Sequence, residues 1–139
     1  MPRPSTRFSV GVHVLVALSY RPDKLISSAS LSNTVATNSV VIRRVLAKLR
    51  DAGLVVSQTG AAGGTRLARS AETISLLHVY RAVGESDVFS LHSPNPDCPI
   101  GRCIPDVLES VLPRVERAME AELAKISIRE VARKVVRAM

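Results

Sequence analysis

Thr37-Asn38-Ser39-Val40-Val41-Ile42-Arg43-Arg44-Val45-Leu46-Ala47-Lys48-Leu49-Arg50-Asp51-Ala52-Gly53-Leu54-Val55 is the stretch that decides the fold. Ile42, Val45, Leu46 and Leu49 fall at i, i+3, i+4 and i+7, the spacing of one buried helical stripe. Ser39, Val40, Arg43, Ala47 and Lys48 are left on the other side. That side is small, polar and basic, which is what a DNA major groove admits. Asn38 or Ser39 can cap the first turn, and Gly53 can end the helix in the left-handed conformation.

The flanks extend the same reading. Ser28–Val35 has the cap and the Leu31/Val35 spacing of a short helix, and Ala36-Thr37-Asn38 is the turn between the two helices. Leu54–Gln58 and Thr65–Leu67 are short strands joined by Thr59-Gly60-Ala61-Ala62-Gly63-Gly64. A tip so poor in side chains can lie against a phosphate backbone. Arg66 and Arg69 flank it, and Leu25-Ile26 is a short segment able to pair with it. The candidate DNA-binding residues are therefore Thr37, Asn38, Ser39, Val40, Arg43, Arg44 and Lys48 on the helix, with Gly63, Gly64 and Arg66 on the hairpin. The plainer alternatives are a solvated charged helix face and an ordinary hairpin turn.

Charge distribution favours DNA contact over both. Met1–Arg69 holds ten basic and two acidic residues, a net of +8; Ser70–Met139 holds nine and ten, a net of −1. Such asymmetry points to a polyanion-binding half joined to a half with another task. Hydrophobic residues make up 46% of the 139 positions, yet aromatics only 3% and Trp none, so the core is aliphatic. Val10–Leu18 is apolar but too short to span a membrane and contains His13. The expectation is a cytoplasmic protein without membrane contact. No catalytic triad, paired carboxylates or phosphate loop is visible, so no enzymatic activity is expected.

Outside this region, Met1–Ser5 with its two prolines reads as a loose start. Thr6–Ser19 is ambiguous, since Val10, Val12, Val14 and Val16 alternate while Phe8, Val12, Leu15 and Leu18 lie near helical spacing. Thr73–Val83 reads as a helix with Leu76, Leu77, Tyr80 and Val83 on one face. Val88–Leu91 is a short extended piece, and Ser93–Pro105 a Pro-rich loop holding Cys98 and Cys103. Ile104–Leu123 follows as a longer helix that Pro113 should kink. Its stripe of Leu108, Val111, Leu112, Val115 and Met119 is a candidate dimer interface. Ser127 to Val136 ends the chain as a helix with a capping-box pattern at Ser127 and Glu130.

Taken in order, Asn38 to Arg44, Leu49 to Val55, Gly60 to Ala68, Ile74 to Val83 and Asn95-Pro96-Asp97-Cys98-Pro99-Ile100-Gly101 resemble the Rrf-type family of bacterial winged helix-turn-helix transcriptional regulators, the IscR-, NsrR- and CymR-like proteins. The resemblance covers about residues 6 to 138. It implies a helix at Thr6–Ser19, packed between two subunits, and a dimer paired through the long C-terminal helix. The expected fold is mostly α: a winged helix-turn-helix DNA-binding domain over 1–84 with a small β-hairpin wing, then a cysteine-containing loop and dimerisation helices over 85–139. Cluster-binding members carry three cysteines in this loop; here there are two. An iron–sulfur cluster needs four ligands, mostly thiolates, so no cofactor is expected. Cys98 and Cys103 could pair, bind metal, react as a thiol sensor of oxidant, or be inert, and Arg102 beside them could lower a thiol pKa. His13, His78 and His92 read better as ordinary hydrogen-bonded histidines than as ligands.

These features add up to a homodimeric repressor of double-stranded DNA that answers an oxidant or small-molecule signal. The rival is a protein-interaction module that binds a metabolic enzyme through its near-neutral C-terminal half, with DNA contact secondary.

Overall fold

The computed structural model describes residues 5–84 and 88–139, and these fold into six helices around a small ribbon. The helices are α1 (Arg7–Ser19), α2 (Ser28–Val35), α3 (Ser39–Asp51), α4 (Leu76–Ala82), α5 (Pro99–Ala124) and α6 (Ile128–Ala138). The strands are β1 (Val55–Gln58) and β2 (Gly64–Leu67), and a 3₁₀ turn covers Ala71–Thr73. Four of the five residues of the expected loose start lie outside the described residues.

The ambiguous first segment is a helix, and it is the centre of the core. Val10, Val14, Leu15, Val16 and Leu18 are buried, while Phe8 and Val12 are only half-buried. Helix α1 touches α2, α3, α4, α6 and β2. The stripe expected on α3 is buried in full, with Ile42, Val45 and Leu49 lacking any exposed surface. Asn38 Oδ1 accepts a hydrogen bond from the Val41 N–H at 3.0 Å, and Gly53 takes φ +75° just past the helix end. Strands β1 and β2 are antiparallel with Val55 opposite Leu67 and Gln58 opposite Gly64. Ile26 does pair with the ribbon: its N–H donates to the Thr65 carbonyl and its carbonyl accepts from the Thr65 N–H, both at 2.9 Å.

Three segments differ from expectation. The helix read over Thr73–Val83 begins only at Leu76. Ile74 and Ser75 stay extended because they pair with the chain ahead of α6: the Ile128 N–H donates to the Ile74 carbonyl and the Leu76 N–H to the Ile126 carbonyl, each at 2.8 Å. The buried face of α4 is Val79 and Val83, with Leu76, Leu77 and Tyr80 half-buried. The cysteine loop ends at Cys98, not Pro105. Pro99 occupies the first turn of α5, where its missing N–H costs nothing, and Cys103, Pro105 and Pro113 all lie inside the helix. Val88–Leu91 forms no strand and is exposed.

Helix α6 crosses the 84/85 division read from the sequence. Ile128 and Ala132 belong to the same core as α1 and α3. Ser127 Oγ accepts from the Glu130 N–H at 3.0 Å, so the expected cap is present in its serine half. The full reciprocal box is found instead on α4. There Ser75 Oγ accepts from the His78 N–H at 3.2 Å, and His78 Nδ1 accepts from the Ser75 N–H at 2.9 Å. Arg69 Nη2 lies 3.2 and 3.3 Å from the two ring nitrogens and donates to the Thr73 carbonyl at 2.9 Å.

Burial first, then the nearby Arg69 and Arg81 guanidiniums, hold the His78 pKa below its ordinary value of 6.5. The folded chain therefore binds fewer protons here than the unfolded chain. The contribution of the neutral cap is present above pH 6.5 and is lost as pH falls through the lower folded value. Thermal unfolding followed from pH 7.5 down to about 5 should show a loss of stability that His78→Gln abolishes, because glutamine at this position can still accept the Ser75 N–H. An equal acid response in both proteins would remove His78 from this role.

Candidate nucleic-acid interface

Burying one face of α3 leaves the other held outward. Asn38, Ser39, Val40, Arg43 and Arg44 are exposed, and Thr37 and Lys48 are half-buried. Asn38 is committed to capping through Oδ1, so its side chain serves the helix. Val40 is 45% exposed, an apolar residue at the first turn where a base edge or thymine methyl could be met.

The wing meets α3 across a concave groove of about 480 Å³. Arg43 and Arg50 line it from α3, Ser27 and Ser28 from the start of α2, and Gly60, Gly63 and Gly64 from the hairpin. Among the described residues no carboxylate lines it. The groove is thus a cationic cleft bounded by a helix, a helix start and a nearly bare backbone ribbon. Arg50 was not among the candidates from sequence, although its position seven residues after Arg43 places it on the same helical face. Ser27 and Ser28 could not be found that way, since only the fold brings α2 to the groove.

Arg44, Lys48 and Arg66 do not line this groove. Arg66 sits opposite Val56 on the outward side of the ribbon, and its Nη1 donates to the Leu67 carbonyl at 3.2 Å. Arg69, a flanking candidate, is held against His78 and Thr73 instead.

Gly63 and Gly64 answer first to their own chain. A Cβ on Gly63 would come within 2.2 Å of the Gln58 carbonyl oxygen. Gly64 has φ +154°, and a Cβ there would lie 2.7 Å from the Ile26 carbonyl oxygen. Gly63 lets the hairpin fold back on Gln58, and Gly64 lets the Ile26 segment close on β2. A bare tip for a phosphate backbone is a by-product of that packing.

The two thiols are free, Cys98 half-buried and Cys103 exposed. Cys98 is the N-cap of α5 and Cys103 lies five residues into it. Ideal helix geometry separates such Cα atoms by about 8–9 Å and turns their side chains about 140° apart. That exceeds the reach of a disulfide, so pairing within the chain requires the first turn of α5 to unwind.

A family profile described as "Rrf2: Iron-dependent Transcriptional regulator" matches residues 4–134. The chain is 39% identical over 129 residues to the "Putative HTH-type transcriptional regulator YwnA" of Bacillus subtilis (strain 168), covering 91% of this chain and 95% of that protein. A crystal structure of "a putative DNA binding protein" is 37% identical, with a TM-score of 0.73 over 90% of this chain and 97% of its own. IscR of T. potens shares the fold at 24% identity and a TM-score of 0.74, covering 99% of this chain and 91% of its own. The profile's description raises iron, and the donor set here does not fit it. Two thiols on diverging sides of a helix are too few for a cluster held by one chain, and no group of three or more His, Cys, Asp and Glu able to hold a metal occurs among the described residues.

Gly64→Ala should cost about 1–3 kcal/mol in urea unfolding, through the clash with Ile26 and the strained φ. It should also weaken DNA binding by displacing the wing. Unchanged stability and unchanged binding would show that the tip relaxes freely.

Proposed function

The chain belongs to the Rrf2 family of transcriptional regulators, and from that premise we propose that it is a homodimeric, sequence-specific repressor that works without an iron–sulfur cluster. The observation that carries DNA reading is the groove between α3 and the wing, with Arg43 and Arg50 on its wall and no carboxylate among the described residues that line it. Helix α3 enters the major groove with Val40 and Arg43 toward the bases. Arg44, Lys48 and Arg66 lie to either side as backbone contacts.

Dimerisation rests on a second observation. Helix α5 spans 26 residues, about 39 Å at the usual rise, and none of them is buried. Its main contact within the chain is with α4. Val111 and Val115 are exposed and Leu108, Leu112 and Met119 half-buried, so the expected seam is open along its length. Ile100 and Val107, absent from the sequence-based seam, extend the apolar strip to the start of the helix at 72% and 53% exposure. A complementary surface lies across α1, α2 and α6, where Phe8, Val12, Val16, Val131 and Val135 line an apolar groove of about 1110 Å³. A single chain leaves both surfaces wet; two chains bury them reciprocally. Paired α5 helices then set the two recognition helices about one DNA turn apart.

Anisotropy titration with operator DNA tests the reading directly. With about six to ten phosphates neutralised per dimer, affinity should fall roughly 10³-fold or more between about 50 and 200 mM salt. Arg43→Ala should relax sequence choice, at about 1–3 kcal/mol for a lost guanine contact, and Arg66→Ala should weaken all sequences alike. A flat salt response sinks the proposal and favours the protein-interaction alternative. Leu112→Asp should convert the dimer to monomer in sedimentation, because a carboxylate would be buried unpaired in the seam. A folded, dimeric variant would move the seam off α5.

A further inference from the structure

Arg129, Arg133 and Arg137 recur every four residues along one side of α6, a side that neither the DNA groove nor the dimer surfaces use. With Ser19 and Tyr20 at the end of α1, and with Ala132 and Val136, they line a pocket of about 320 Å³. Among the described residues no acidic side chain lines it. None of the three guanidiniums has an ion-pair partner among the described residues. Glu130, the one acid of α6, lies 3.9 Å from Lys134. The Arg129 Nε is fully buried and without a hydrogen-bond acceptor among the described residues. Like charges four residues apart on a helix repel, and a buried N–H of a cation left without an acceptor is costly. The repulsion falls on this pocket, and an oxyanion bound there relieves it.

We propose that this pocket binds a small organic polyanion, a molecule with two or more carboxylate or phosphate groups on a short carbon frame. The volume is that of a small-ligand site and far below what a protein segment needs. Guanidinium forks match carboxylate and phosphate oxygens bidentately. Tyr20 and Val136 supply apolar wall for the carbon frame. The site lies on the seam between α1 and α6, so its occupant ties the last helix to the central one.

Thermal unfolding of the full chain tests this, with citrate and pyrophosphate as probes and sodium chloride at matched ionic strength as control. A saturable rise in Tm with citrate or pyrophosphate, absent with chloride, is expected, and the better probe distinguishes carboxylate from phosphate recognition. The double variant Arg133→Gln/Arg137→Gln removes two exposed side chains and should keep its fold. It should raise the half-saturating concentration about tenfold or more, whereas Lys134→Gln, which removes one charge from the same helix, should leave it unchanged. Equal shifts with citrate, pyrophosphate and chloride, or equal losses in the double variant and Lys134→Gln, overturn the site in favour of general screening. Loss of operator affinity and of salt slope in the double variant, with no polyanion response in the parent, overturns it in favour of DNA backbone contact.

Discussion

Val14, Leu15 and Leu18 of α1 have no exposed surface, and the elements that carry function lean on them from several directions. Helix α3 seals Ile42, Val45 and Leu49 against this centre, α4 adds Val79 and Val83, and α6 adds Ile128. With no tryptophan and few aromatics, the centre is held by interdigitated branched aliphatics, whose fit depends on shape at each position. Burying the stripe of α3 fixes its rotation about its own axis. That rotation, and no contact made by the basic residues themselves, aims Arg43 and Arg50 at the groove.

Helix α3 was legible because its signals are local. Four apolar residues at helical spacing, an Asn cap and a terminal Gly all lie within sixteen positions, and all are found as read. The misread segments owe their structure to distant partners. Ile74 and Ser75 stay extended for the sake of residues 126–128, fifty positions on. The wing glycines suggested clearance for a phosphate backbone, while the Ile26 carbonyl and the Gln58 carbonyl are what demand them. At α5 the ambiguity is local: Pro105 suits a first helical turn, but Pro99 satisfies the same rule and the helix runs on through Pro105 and Pro113.

Charge shows a related limit of reading by halves. The C-terminal half averages to near neutrality, so nothing in its composition marks α6. Within it, three arginines share one side of a helix and its single acid is turned to a lysine. Only the fold, by bringing the end of α1 beside them, makes a pocket of what the sequence spreads over nine positions. The apolar stripe of α5 was visible in advance, but not that the parent domain would leave it bare from Ile100 onward.

The insertion of Ile128 and Ala132 into the core bears on how the chain is made. The N-terminal unit looks self-sufficient in sequence, yet Ile74 and Leu76 find their backbone partners only in residues 126–128. During synthesis α1 to α4 emerge before Ile128 and Ala132, and their common centre stays open on one side until α6 is available to close it. A product cut short by a premature stop would carry the recognition helix without the closure that steadies it.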